Sequence, residues 1–414
     1  MKISLFAPEY DVNADLENIL DDNFLSQKPL PSFDAAAIEF LSGLSKKILE
    51  TKEIKEFPEL VALAYWLRKS NIRTIADSFT QGVNDSEIVV PRGVAFHIAP
   101  SNVDSIFLYS WALSLLVSNI NIVRVSQTLN AQQELLFSAI REVLSDEKLK
   151  SIAQRNILLT YPREEVINRF ISLRSDVRVL WGGDETINSI RLLPAKPATK
   201  DITFADKFSY SAINSSAYNL LDNEGKSKLA AQFYNDAYWF DQMACSSPRF
   251  IIFTGNTESN ETASESFRRY LESELKRKFK SDSIDVAMEK LVYMYESISK
   301  TDTLEKPSLP ASSKPAVLRV DKAEINKFRE SCGGGFFFVC FIENLTELVD
   351  LVSRKDQTLA YFGFDKNELF NFVKQVNGAG IDRIVPIGQA LNFAPTWDGY
   401  SLLNELSKRV AVVI

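Results

Sequence analysis

The chain has 414 residues, of which 45% are hydrophobic and 24% charged, enough for two or three domains with substantial cores. Its formal net charge of -7 leaves no basic surplus with which to hold nucleic acid or an anionic membrane by bulk charge. Three cysteines and a single histidine exclude a disulfide scaffold, fit a reducing cytoplasm, and argue against zinc hydrolases and Ser-His-Asp triads.

The first residues, 1–8, meet acidic positions too soon for a signal-peptide core. Residues 1–80 read as mostly helical, with helices over 35–49, started by Pro31-Ser32-Phe33-Asp34, and from about 56 to 66. A strand end at 88–91 enters the turn Arg92-Gly93, and 94–98 is a short buried strand. Ser101-Asn102-Val103-Asp104 caps an apolar helix over 106–117, which is too short to span a bilayer. Strands at 121–125, 157–160 and 177–181 then alternate with helices at 132–144, 163–173 and 185–192. That alternation predicts a parallel α/β sheet of Rossmann type with ligand at the carboxyl ends of its strands.

A second alternating block begins near Ser209. It holds helices at 225–245, 260–278 and 284–298, a strand at 249–253 and a strongly β-prone run at 336–341. The Pro- and Ser-rich stretch 301–314 reads as an exposed loop.

Cys245, in Asp241-Gln242-Met243-Ala244-Cys245-Ser246-Ser247-Pro248-Arg249, stands between a helical pattern and a buried strand. It is either a covalent nucleophile or a small buried hydrophobe. A position at a helix C-terminus disfavours the thiolate. Cys332, before Gly333-Gly334-Gly335, and Cys340, inside the β-run, are weaker candidates. Asn102 can donate to a developing oxyanion, although a helix cap explains it locally. His97 reads as a buried, hydrogen-bonded histidine. Trp181-Gly182-Gly183-Asp184, after a strand, either admits a dinucleotide at a helix N-terminus or is a plain turn. Arg124 and Ser126 either bind an adenosine ribose or 2′-phosphate, or form a solvated strand end. No metal-ligand cluster is evident, so no metal is expected.

Pro91-Arg92-Gly93-Val94 through Ala99-Pro100-Ser101-Asn102-Val103, Trp181-Gly182-Gly183-Asp184, Cys245-Ser246-Ser247-Pro248, residues 383–393 and Trp397-Asp398-Gly399-Tyr400 recur in this order. Over about residues 85–410 they resemble LuxC-type acyl-CoA reductases, a fatty-acyl reductase branch of the aldehyde dehydrogenase superfamily. The resemblance implies an aldehyde dehydrogenase-like α/β fold. Residues 1–208 would hold N-terminal helices and a Rossmann-like NAD(P) domain. Residues 209–385 would form a catalytic α/β domain, and 386–414 a substrate-site loop and oligomerisation strand, with 410–414 as a sheet-extending edge.

For chemistry, the resemblance implies that Cys245 attacks an acyl thioester and forms an S-acyl enzyme. Asn102 and the Cys245 N–H would hold the oxyanion. NADPH, with NADH as the other possibility, would reduce the S-acyl group to aldehyde. The cofactor would lie along Arg124, Ser126, Trp181, Gly182 and Gly183. Hydrolytic superfamily members resemble one another in a Glu some thirty residues before the cysteine. Here no Glu lies between Glu185 and Glu224, although Asp206 and Lys207 stand nearby, so water attack on the thioester should be slow.

The acidic residue expected to hold the nicotinamide ribose is not evident around 333–338. The expected partners are an acyl-CoA or acyl-carrier thioester, other copies of the chain, and an acyl-protein synthetase or acyl-transferase. Nucleic acid and membrane are not expected partners, and the expected location is cytoplasmic. The other readings are a CoA-acylating aldehyde dehydrogenase running oxidatively, a non-redox acyl transferase or carrier using the same cysteine, and a non-catalytic subunit.

Overall fold

A computed structural model describes residues 1–100, 106–127, 129–278, 283–301 and 314–413. The chain forms two compact units, one of Met1–Ala205 with Phe393–Ile414, the other of Asp206–Asn392.

In the first unit, strands β1 (Lys2–Ala7), β2 (Asp11–Asp15), β4 (Val94–Ile98), β5 (Ile120–Arg124), β6 (Asn156–Thr160), β7 (Val177–Trp181) and β8 (Lys200–Phe204) build one sheet, and β3 (Glu87–Pro91) lies outside it. Across the sheet the order is β2-β1-β6-β5-β4-β7-β8. Strands β6 to β8 run parallel, while β1 is antiparallel to both neighbours. The opening strands β1 and β2 depart from the helical expectation for 1–80. Strand β1 is fixed by pairing with β6, more than 150 residues away, a contact that local periodicity does not carry.

Strands β4, β6 and β7 are buried at every position, as strands covered on both faces must be. The helix Ile106–Leu116 is likewise buried all round. Its Trp111 packs on Phe40 of the helix Ala35–Glu50, and its Tyr109 packs on Phe393 and Trp397 of the returning tail. Chain order reverses at β4: β5 and β6 extend to one side, β7 and β8 to the other. That reversal marks a topological switch point at the carboxyl ends of β4 and β7, the usual place for a ligand crevice in such sheets.

His97 of β4 is buried. The Asn121 amide N–H groups donate to Asn119 O and Asn156 Oδ1, which leaves Asn121 Oδ1 to accept from His97 Nε2 at 3.1 Å. His97 Nδ1 then accepts from Ser110 Oγ at 3.3 Å, and Ser110 Oγ accepts from Trp181 Nε1. Burial pulls the imidazole pKa down to about 4, so the ring is neutral and structural near pH 7.

The second unit is a six-stranded, fully parallel sheet of β9 (Phe208–Asn214), β10 (Phe250–Thr254), β11 (Ala316–Arg319), β12 (Phe336–Ile342), β13 (Asp356–Phe362) and β14 (Arg383–Pro386). Their order is β11-β12-β10-β9-β13-β14. Phe208, Tyr210, Phe250, Phe328, Phe336 and Phe338 stack across one face of this sheet. Helices Asn223–Tyr238 and Thr257–Lys278 cover the other, with Phe233 against Phe267 and Phe337. The expected loop at 301–314 lies outside the described residues over 302–313.

Residues 393–414 return to the first unit. Strands β15 (Thr396–Trp397) and β16 (Tyr400–Ser401) make a small hairpin, and β17 (Ser407–Ala411) pairs antiparallel with β3. Trp397, Leu402, Leu403 and Leu406 join Val177 and Val179 in one apolar cluster. Burial of Trp397, Leu402, Leu403 and Leu406 and the pairing of β17 with β3 therefore tie this tail to the first unit, while 386–392 stay with the second. No described helix is long and apolar enough to cross a membrane.

Candidate active site

The helix leading to Cys245 is shorter than its sequence pattern. It starts on the Asp222 cap, ends at Tyr238, and is followed by Asp241 and Gln242 at positive φ, 49° and 62°. Those left-handed residues cannot continue a helix. Cys245 thus lies well past the last turn, where the helix dipole has faded. The expected electrostatic penalty on its thiolate does not apply.

Gln242 holds the loop in this shape. It is 0% exposed. Its Nε2 donates to Pro248 O and Phe336 O at 2.9 and 2.8 Å, and its Oε1 accepts from the Gly335 and Phe336 N–H groups at 3.0 and 2.9 Å. The Gly334 N–H donates to Asp241 O at 2.7 Å. The glycine triplet is therefore the platform under the cysteine loop. Gly335 sits at φ 81°, and a Cβ there would lie 2.5 Å from the Tyr238 ring, so only glycine permits the approach.

Cys245 is half-buried. Its Sγ accepts from Gln357 Nε2 at 3.2 Å, and its carbonyl accepts from Ser209 Oγ at 2.7 Å. Ser209 Oγ in turn accepts from the Thr358 N–H at 3.2 Å, and the Arg249 N–H donates to Ser209 O at 3.0 Å. Every one of these groups stands at the amino ends of parallel strands β9, β10, β12 and β13. The cysteine thus sits at the opposite end of its sheet from the carboxyl-end position expected for ligands.

Arg249 supplies the nearby positive charge. Its Nη1 donates to Lys207 O at 3.3 Å, its guanidinium lies over the Phe208 ring, and its Nε is buried without a hydrogen-bond partner among the described residues. Burial lowers the guanidinium pKa, and the Cys245 thiolate charge opposes that shift. Burial pushes Cys332 up to about 11 and Cys340 up to about 12, which keeps both as thiols near pH 7.

Asp236 links the cysteine loop to the segment after β14. Its backbone carbonyl accepts from Ser247 Oγ at 2.8 Å. Its carboxylate accepts from the Gly388 and Ala390 N–H groups at 2.6 and 2.9 Å, while Arg383 holds the carbonyls of Gln389, Ala390 and Asn392. Burial raises the Asp236 pKa from 3.8 to about 7, against the two N–H groups and Arg383. Between pH 4 and 7 the folded carboxyl keeps a proton that the unfolded chain has lost. Stability from this group is therefore present at low pH and lost as pH rises to 7, by about 1.4 kcal/mol per unit. We expect Asp236→Asn to flatten that slope. Urea midpoints at pH 5 and 7 check it, and identical slopes in the two proteins would refute it.

In the first unit, Gly182 and Gly183 follow β7 at the switch point, and Gly183 caps the helix Asp184–Arg191. A Cβ on Gly182, at φ 157°, would press on Thr186 at 3.3 Å. Trp181 is buried in the unit's own core, stacked on Phe204 at 3.8 Å, so what it offers a ligand is backbone. Arg124 ends β5. Its guanidinium lies 4.9 Å from the centre of the Tyr161 ring, and its Nε is buried without a hydrogen-bond partner among the described residues. Ser126 is half-exposed two residues on. Asn102 lies outside the described residues.

Sequence reasoning singled out Cys245 and the glycine turn but not Gln242, Gln357, Ser209, Arg249 or Asp236. The signal for Gln242 is its place near the cysteine; the glycine triplet it holds lies 93 residues on at Gly335. Gln357, 112 residues from Cys245, had none.

A family model described as acyl-CoA reductase (LuxC) matches residues 37–409. No curated protein matches the chain. Among solved structures, the chain is similar to 1-pyrroline-5-carboxylate dehydrogenase from Thermus with bound NAD, at 15% identity and a TM-score of 0.64, covering 92% of this chain and 81% of that one. It is similar to glyceraldehyde-3-phosphate dehydrogenase GapN from Methanocaldococcus jannaschii complexed with NADP, at 15% identity and 0.66, covering 100% and 98%. It is also similar to an NAD-dependent benzaldehyde dehydrogenase from Corynebacterium glutamicum, at 12% identity and 0.61, covering 94% and 86%. These likenesses show an aldehyde dehydrogenase-like fold.

Proposed function

The chain belongs to the acyl-CoA reductase (LuxC) family, and from that premise we propose that it reduces a fatty acyl-CoA, or another acyl thioester, to the aldehyde through an S-acyl intermediate on Cys245. The observation that carries this reading is a half-buried cysteine whose sulfur accepts from a buried amide. Family membership supports acyl-CoA redox chemistry in general. The thioester donor, chain length and cofactor are parts of the proposal.

In this reading the Cys245 thiolate attacks the thioester carbonyl, with Asn102 and the Cys245 N–H as the oxyanion donors. The tetrahedral adduct expels the donor thiolate, which takes a proton from water, and leaves the acyl group on Sγ. When bound, a reduced nicotinamide supplies hydride to that acyl carbon. The resulting hemithioacetal oxyanion re-forms its carbonyl, breaks the C–Sγ bond and releases aldehyde and the Cys245 thiolate. With no Glu between Glu185 and Glu224 to activate water, hydrolysis of the S-acyl group is slow. CoA-acylating aldehyde oxidation is the same sequence reversed.

The switch point at β4 and β7 is where this reading puts the nucleotide. The Gly182-Gly183 backbone meets the phosphates where a side chain would crowd Thr186, and Arg124 has a buried Nε without a hydrogen-bond partner among the described residues. Arg124 and Ser126 take the adenosine ribose, and the arginine favours the 2′-phosphate of NADPH over NADH. The reading carries with it a cytoplasmic homo-oligomer joined through β17, supplied with acyl groups as CoA or carrier thioesters or by an acyl-protein synthetase or acyl-transferase.

The test is an incubation with a medium or long acyl-CoA and either NADPH or NADH. Aldehyde and free CoA should appear in equal amounts, faster with NADPH. Release of CoA without aldehyde would make the protein a non-redox transferase. Equal rates with the two nucleotides would remove Arg124 as a 2′-phosphate reader.

A further inference from the structure

Strand β13 begins irregularly, its register against β9 shifting between Asp356 and Leu359, and its first two residues make different attachments. Asp356 is fully buried and accepts from Tyr210 Oη at 2.7 Å, from the Ser353 N–H at 2.8 Å and from Arg329. Arg329 also donates to Leu351 O. These bonds fix the position of the strand's first residue. Gln357, the next residue, reaches Cys245.

The carboxamide of Gln357 is 2% exposed and oriented. Thr358 Oγ1 donates to its Oε1 at 3.3 Å, which turns its Nε2 toward Cys245 Sγ at 3.2 Å. Thr358 reaches the cysteine backbone as well, through Ser209. The Thr358 N–H donates to Ser209 Oγ, and Ser209 Oγ donates to Cys245 O. One strand end therefore sets both the sulfur and the main chain of the nucleophile.

We propose that Gln357 is a catalytic residue whose side-chain N–H binds the Cys245 thiolate, both before it attacks the thioester and when it leaves the hemithioacetal. This rests on the reading of Cys245 as the nucleophile.

The amide suits that task because it donates without carrying charge. A hydrogen bond to the ionised sulfur favours the thiolate over the thiol. A carboxylate at the same place would repel it. When Sγ attacks, its lone pair forms the C–S bond and the carbonyl π pair moves to oxygen, so the sulfur loses its charge and the Gln357 bond weakens. In the last step the C–Sγ pair returns to sulfur as the aldehyde carbonyl re-forms. The N–H group then binds the departing charge without further reorganisation.

The test needs neither thioester nor nucleotide. The rate of Cys245 alkylation by iodoacetamide is followed across pH by peptide mass, which separates Cys245 from Cys332 and Cys340. Gln357→Met keeps the length and removes the donor. Its alkylation midpoint should move up by about one pH unit, the size of a hydrogen bond to a charged group. Gln357→Glu should move it at least as far, because a carboxylate replaces the donor. Melting temperatures report whether each variant is folded, and the Glu variant decides alone if the Met variant is not. An unshifted midpoint in a folded variant overturns the proposal. A shifted midpoint in a protein that makes no aldehyde would sink the reductase reading and leave the Gln357–thiolate contact standing.

Discussion

Replacing Cys245 with alanine should remove acyl-enzyme and aldehyde together, with a rate loss of ~10⁴-fold or more, the scale seen when a covalent nucleophile is deleted. The size follows from where the sulfur acts. It forms the bond that detaches the thiol donor, and it is the group expelled when aldehyde forms, so no later step bypasses it. Cys332 and Cys340 do not substitute, because burial holds both thiols protonated at neutral pH. Nucleotide binding should survive, since the Gly182-Gly183 turn belongs to the other compact unit. Intrinsic fluorescence titration with NADPH and an aldehyde-trapping assay on the same sample separate the two effects. Aldehyde production by the alanine variant would refute the nucleophile assignment.

Gln242→Leu should destabilise the second unit by roughly 4 kcal/mol or more, among the largest single-site losses a fold of this kind shows. The glutamine is fully buried, and all four of its hydrogen bonds go to backbone groups of the cysteine loop and the glycine turn. Leucine fills the space but takes the side-chain partner from two carbonyls and the Gly335 N–H in the dry interior, while the Phe336 N–H keeps Gly333 O at 3.3 Å. Each unmet backbone group costs about 1–3 kcal/mol. The left-handed φ of 62° at this position adds strain for a branched side chain. Urea unfolding followed by Trp and Tyr signals measures the loss. A change below about 1 kcal/mol would show that the loop holds its shape without this amide.

The strands that the sequence revealed are those whose reasons are local. Strands β4, β5, β6, β7, β10 and β12 are short continuous apolar runs between turn residues, and their expected bounds fall within one residue or so of the observed ones. Strands β1, β2, β8 and β13 are legible only through their neighbours: β1 is a strand because it pairs with β6, and β13 opens with the polar pair Asp356-Gln357. The helix before Cys245 reads as longer than it is, because the apolar pattern continues past the left-handed Asp241 and Gln242.

The same division runs through the site. Cys245, the glycine triplet and the Gly182-Gly183 turn stand out as rare residues in rare places. Gln357, Ser209 and Asp236 are ordinary residue types, and their roles exist only once segments far apart in sequence meet around the cysteine loop. Trp181 shows the converse: prominent in the sequence, its ring belongs to the core.

The most direct test of the central claim is the intact mass of the pure protein after incubation with a medium or long acyl-CoA, with and without NADPH. We expect one acyl group added on Cys245, lost on addition of NADPH as aldehyde appears. An acyl group on Cys245 that NADPH cannot discharge, or no acylation of that residue at all, would contradict the account.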